Sequence, residues 1–149
     1  MTMKRTLLAL LRCLALVQAR AADLSWTTDL PKALEQAKTE KKLVLLNFTG
    51  SDWCPWCIKF DKEVFSTPEF AQYAKDHLVL VMVDFPRKKE LSAKLQDANK
   101  VLQRKYEVDG FPTYVVLSAE GQEVGRQVGY APGGPKAFVE KLDGFKKKT

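Results

Sequence analysis

Residues 43–57 read Leu-Val-Leu-Leu-Asn-Phe-Thr-Gly-Ser-Asp-Trp-Cys-Pro-Trp-Cys. The run Leu43 to Phe48 has strand length and near-continuous hydrophobicity, the pattern of a strand buried on both faces. Pro55 suits the first position of a helix running from Cys54 to Val64, so the two cysteines fall on its opening turn. Cysteines three apart on a first turn lie close enough to bridge. The unpaired N–H groups and positive end of the helix there stabilise a thiolate at the first of them. Cys54 is therefore the expected attacking group. Cys57, one turn in and less exposed, resolves the mixed disulfide that Cys54 forms with a substrate. Trp53, Pro55 and Trp56 flank the pair; the tryptophans are read either as an apolar rim for substrate peptides or as packing.

Working outward, Leu30 to Lys41 with Pro31 in its first turn reads as a helix leading into the buried strand. Thr67-Pro68-Glu69 combines a cap, a first-turn proline and an acid, opening a short helix to about Asp76. Leu78 to Val83 is a second apolar strand. From Lys89 to Tyr106, Leu91, Leu95, Ala98 and Leu102 recur at spacings of three and four on one face of an amphipathic helix. Pro112 precedes a strand over Thr113–Leu117. Ser118 to Gln122 makes a hairpin turn, and Glu123 to Gly129 is a weaker strand whose Gly125 suggests a sheet edge. Pro135 to Lys147 forms a closing helix. The order predicts an α/β domain: a central mixed sheet of four to five strands flanked by helices on both faces.

The 149 residues are 46% hydrophobic and 28% charged, the balance of one globular domain, which excludes a disordered tail or a collagen. The net charge of +6 is unevenly placed. Residues 1–21 carry Lys4, Arg5, Arg12 and Arg20 and no acid; removing these four from the 24 basic residues leaves 20 against 18 acidic, a net of +2. A cationic start, an apolar run to Val17 and Ala19-x-Ala21 have the layout of a secretory signal peptide. That layout predicts cleavage after Ala21 or Ala22, leaving residues 22–149 as one domain. Arg12 is unfavourable inside the apolar run, and an uncleaved membrane anchor or a misassigned start is the alternative. Cleavage removes Cys13, so the exported chain holds Cys54 and Cys57 alone, outside the cytosol, where disulfides persist. Nucleic-acid binding has no support in a near-neutral domain. Arg87-Lys88-Lys89 and Lys146-Lys-Lys148 read as solvated charge runs, either of which can meet an anionic membrane or an acidic partner.

With Gly110-Phe-Pro-Thr113 ahead of a strand, the Trp53–Cys57 segment makes the chain resemble the thioredoxin superfamily over roughly residues 25–145. The second motif is similar to that family's Gly-x-Pro-Thr. The resemblance implies a thioredoxin fold, a cis Pro112 facing the cysteine pair, and Phe111 C=O and N–H groups left free to pair with a substrate backbone. Asn47–Cys57, Phe65-Ser-Thr-Pro68 and the leader look most like the exported thioredoxin-like proteins. Those include the C-terminal domain of the transmembrane thiol reductant conductor, a subgroup with a helical insertion that corresponds here to residues 86–105. By the same resemblance the family's buried carboxylate falls at Asn47, and an amide cannot act as a general base. Proton relay at Cys57 then falls to water or to Glu63.

The function expected is an exported thiol–disulfide oxidoreductase that reduces protein disulfides with no cofactor beyond the Cys54–Cys57 pair. It works as a monomer with protein thiols and disulfides and a separate electron donor, because no flavin or nicotinamide fingerprint is present. Pro next to Cys54 leaves oxidation or isomerisation open, and glutaredoxin-like use of glutathione is a further enzyme alternative. The non-enzymatic alternative is a peptide-binding module with an inert structural disulfide. A zinc site would need two more ligands, and His77 is the single histidine. That histidine, after Asp76 at a helix end, reads as a surface residue favoured by the helix dipole.

Overall fold

Five strands form one sheet in the order β1-β3-β2-β4-β5, in a computed structural model that describes residues 24–149. Residues 1–21, read from the sequence as a signal peptide, lie outside the described residues. The strands are β1 (Trp26–Thr27), β2 (Leu43–Thr49), β3 (Leu78–Asp84), β4 (Thr113–Leu117) and β5 (Glu123–Val128). β2 lies at the centre, parallel to β3 with Leu45 opposite Leu80 and antiparallel to β4 with Leu45 opposite Val116. All seven residues of β2 are buried, as a strand covered on both faces requires.

The alternation of β2 divides the core. Val44, Leu46 and Phe48 pack with Val81, Val115 and Leu117 under α1 (Leu30–Glu40), whose Ala33 and Ala37 allow close approach. Leu43 and Leu45 point to the other face, with Phe60, Phe65, Phe70, Tyr114 and Phe138. That second layer is supplied by α2 (Pro55–Phe60), α3 (Pro68–His77) and α5 (Gly134–Lys146). Its aromatic rings meet mainly edge to face; Phe60 and Phe138 centroids are 5.0 Å apart at 85°.

Caps fix the helix starts. The Asp29 carboxylate accepts from Lys32 N–H at 3.1 Å and the Thr67 hydroxyl from Phe70 N–H at 3.3 Å. The helix expected from Cys54 to Val64 is α-helical only to Phe60 and continues as one π-helical turn, Asp61–Phe65, which seats Val64 and Phe65 in the core. The expected helix from Lys89 begins instead at Ala93, as α4 (Ala93–Lys105). The Ser92 hydroxyl caps Leu95 N–H at 3.2 Å, and Leu91 therefore precedes the helix. The apolar face of α4 is thinly covered: Asn99 is its one buried residue, and the Asn99 amide donates to Asp84 C=O at 2.9 Å. β1 has no counterpart in the sequence reading, because two residues are too short to show a period. β5 is an edge strand; a Cβ at Gly125 would collide with the Phe145 ring, so the missing side chain lets α5 close on it.

Candidate active site

The chain leaves β2 at its C-terminal end and turns into α2 through Gly50–Trp53. Cys54 is the N-cap of α2 in extended conformation, and its Sγ accepts from Cys57 N–H at 3.2 Å. The two cysteines are joined by a disulfide with Cα atoms 5.2 Å apart, and each is only 4% exposed. Cys54 Sγ lies 3.8 Å from the carbonyl oxygen of Phe111. The Phe111–Pro112 peptide bond is cis. The loop holding it is tied down by Thr113 Oγ1 donating to Gly110 C=O at 2.8 Å and Gly129 N–H donating to Pro112 C=O at 2.8 Å. Among the described residues, no backbone partner engages Phe111 N–H or C=O.

On one side of the pair, the Trp53 indole N–H donates to Phe85 C=O at 2.7 Å. The Arg87 guanidinium sits 3.7 Å above the Trp53 ring, and Phe111 stacks on Phe85 at 5.0 Å. Two carboxylates lock this corner. Asp52 accepts from three successive backbone N–H groups, Arg87 at 2.9 Å, Lys88 at 2.8 Å and Lys89 at 3.0 Å. Buried Asp84 accepts from Ser51 N–H at 3.0 Å and Ser51 Oγ at 2.5 Å, and pairs with Lys89 Nζ at 2.8 Å. The hydrogen bonds from Arg87, Lys89 and Lys88 hold Asp52 below the ordinary carboxylate value despite some desolvation. A depressed folded-state value means the clamp is intact above the ordinary range and loosens as pH falls through the lowered one. Trp53 fluorescence is thus expected to change below the ordinary value of 3.8 with far-UV circular dichroism steady, and Asp52→Asn removes the transition. A transition that persists in Asp52→Asn counts against the clamp.

On the other side Trp56 is 54% exposed and packs on Tyr130, centroids 5.1 Å apart. Lys59 Nζ stands 5.4 Å from the Trp56 ring and 4.8 Å from the Tyr130 ring. The Tyr130 hydroxyl donates to Glu63 at 2.6 Å, which raises the Tyr130 pKa. Glu63 is exposed, its carboxylate engaged by Tyr130 and, at 3.9 Å, by Lys59; no hydrogen bond links it to Cys57 among the described residues. Sequence reading missed Tyr130, Asp52, Asp84 and Phe85. A tyrosine after an edge strand, a carboxylate in a turn and another at a strand's end carry no periodic signal, and their roles come from contacts 32 to 67 residues away in sequence.

Asn47 is 5% exposed on the sheet face covered by α2, opposite Met82 and Tyr114. Its Nδ2 meets Met82 Sδ at 3.8 Å, and its Oδ1 has no partner among the described residues. An unpaired buried acceptor is a cost, so Asn47→Leu is expected to be neutral or to stabilise by up to about 1 kcal/mol in urea unfolding. A loss above about 2 kcal/mol would mean that Oδ1 is satisfied by a bound water. No group of three or more His, Cys, Asp or Glu residues among those described could hold a metal.

The central sheet, the cysteine pair capping α2 and the cis bond beside it define a disulfide-exchange domain. The chain belongs to the family described as the thioredoxin-like domain, whose model matches residues 30–146. Among curated proteins it is 42% identical to the disulfide bond reductase DsbH of Chlamydia pneumoniae, over 82% of this chain and 72% of that protein. It is 36% identical to the thiol:disulfide interchange protein DsbD of Cronobacter sakazakii over 68% of this chain, but spans only 16% of that longer protein. A solved structure titled DsbH oxidoreductase superposes with a TM-score of 0.79 at 41% identity, covering 89% of this chain and 92% of the other. The oxidised C-terminal domain of Neisseria meningitidis DsbD shares the fold, with a TM-score of 0.58 at 20% identity over 80% of this chain and 98% of that one. The protein is a thiol–disulfide oxidoreductase of thioredoxin fold.

Proposed function

We propose that the protein is an exported reductant of protein disulfides, with Cys54 as nucleophile, Cys57 as resolving thiol and the Phe111–Pro112 segment as the seat of the substrate strand. The observation that carries this is Cys54 Sγ at the N-terminus of α2, 3.8 Å from a Phe111 carbonyl that no backbone donor engages. The name of the DsbH relative, a reductase, supports the direction, and the layout of residues 1–21 supports export. No described helix is long and apolar enough to cross a membrane.

In the reduced protein, the thiolate of Cys54 attacks one sulfur of a substrate disulfide. The substrate S–S bond breaks, a Cys54–substrate disulfide forms, and the departing thiolate takes a proton from water. Cys57 gives its proton to water and attacks Cys54 Sγ; the mixed disulfide breaks, the Cys54–Cys57 bond forms, and the second substrate sulfur leaves as a thiolate that takes a proton from water. The substrate gains two electrons and the pair loses two, which a separate dithiol donor must restore. Water carries the Cys57 proton in this scheme, because an amide at Asn47 cannot take it and Glu63 is engaged with Tyr130 and Lys59. Trp53 and Trp56 control access, with Trp53 fixed by its hydrogen bond and Trp56 open to a partner.

Equilibration with dithiothreitol or glutathione, followed by tryptophan fluorescence, tests the direction. A reduction potential near −270 mV, roughly that of thioredoxin, is expected; a value near about −120 mV makes the protein an oxidant and overturns the reading.

A further inference from the structure

We propose that the groove between the start of α2 and the Arg87–Lys89 loop receives an acidic segment of the protein substrate, with Arg87 and Lys88 taking a carboxylate close to the disulfide to be reduced. This rests on the reductase reading and names the substrate class of the same site.

Trp53, Pro55 and Ile58 give the groove an apolar floor, and Ile58 is 47% exposed; Lys62 and Lys88 stand at its margins. Asp52 and Glu63 also line it, yet the Asp52 oxygens are occupied by the backbone N–H groups of residues 87–89, and the Glu63 carboxylate by the Tyr130 hydroxyl and Lys59. Asp52 therefore orders the loop without pairing its side-chain cations. Lys89 is held by Asp84 and Lys59 by Glu63, whereas no ion pair engages Arg87, Lys88 or Lys62 among the described residues.

Arg87 is the best prepared of the three. Stacking on Trp53 fixes the guanidinium plane and leaves its N–H edge free for a carboxylate, the bidentate geometry that suits arginine. Side chain and backbone are both ordered before any partner arrives, which lowers the entropy lost on binding. Trp53 adjoins Cys54 in the chain, so a carboxylate on Arg87 belongs to whatever presents its disulfide to Cys54. An anionic membrane could meet the same cations, but a flat bilayer offers no disulfide, and the cations crowd the redox rim.

The test uses two disulfide-closed peptides of one sequence, differing in Glu or Lys at the residues flanking the cysteines, and oxidised glutathione as a third substrate. Each is mixed with the reduced protein in single turnover, read by tryptophan fluorescence. The Glu peptide is expected to react roughly tenfold faster than the Lys peptide at low salt, with the ratio collapsing near 1 M salt. The ratio should fall towards one in Arg87→Gln/Lys88→Gln and persist in Lys38→Gln/Lys75→Gln. Those control cations lie on α1 and α3 near the ends that feed β2 and β3, at the opposite end of the sheet from Cys54. Equal rates for the two peptides, a preference that survives Arg87→Gln/Lys88→Gln, or glutathione outpacing the Glu peptide each overturn the proposal. So does loss of anionic-vesicle binding in that variant without any peptide preference. A protein that reduces none of the three substrates loses the reductase reading itself, and the proposal with it.

Discussion

Cys54→Ser is expected to lower the rate of disulfide reduction by a factor on the order of 10³ or more, leaving the fold intact. A serine hydroxyl is scarcely ionised at neutral pH, so no helix N-terminus can supply the nucleophile that a thiolate provides. Cys57→Ser should differ in kind. Attack by Cys54 survives, but the mixed disulfide is not resolved, so a covalent adduct with a disulfide substrate accumulates and turnover stops. Non-reducing electrophoresis with mass spectrometry reads both outcomes. Sustained turnover of Cys57→Ser with glutathione would instead identify a glutaredoxin-like route that runs on Cys54 alone. Substantial reduction by Cys54→Ser would remove Cys54 from the mechanism.

Phe60→Ala is expected to cost about 3–5 kcal/mol of stability, the range for removing a large aromatic from a sealed core. Phe60 is 1% exposed and lies against Phe65, Tyr114 and Phe138, with centroids 5.2, 4.6 and 5.0 Å away. It is also the last α-helical residue of α2, one turn beyond Cys57, so it anchors the helix whose N-terminus faces the thiolate. Chemical denaturation measures the loss. Phe60→Leu, which keeps much of the volume, should recover a large part of it. A Phe60→Ala loss below about 1 kcal/mol would show that the aromatic layer does not hold α2 in place.

The elements that define the fold were legible because their signals are local. The apolar runs of β2 and β3, the prolines opening α1, α2 and α3, and the Ser118–Gln122 turn each announce themselves within a few residues. Cys54 and Cys57 stand out for the same reason. The parts that escaped depend on long-range contacts. Asp52 becomes structural only when the Arg87–Lys89 backbone folds over it, and Tyr130 joins the site only when β5 brings it to Trp56 and Glu63. The start of α4 was misplaced because Leu91 matches the helical spacing, whereas Ser92 supplies the cap that decides the boundary.

The antiparallel pairing of β2 with β4 joins residues 44–48 to residues 113–117, so the central strand stays a bare edge until most of the chain has been made. A nascent chain halted before Thr113 has its hydrophobic centre and both redox cysteines unprotected. Such a late-closing topology slows spontaneous folding and leaves a long interval in which the polypeptide is extended and unprotected. It also leaves Cys54 and Cys57 open to oxidants and chaperones before the domain can shield them. Truncated versions ending short of β4 will consequently be aggregation-prone and prematurely oxidised.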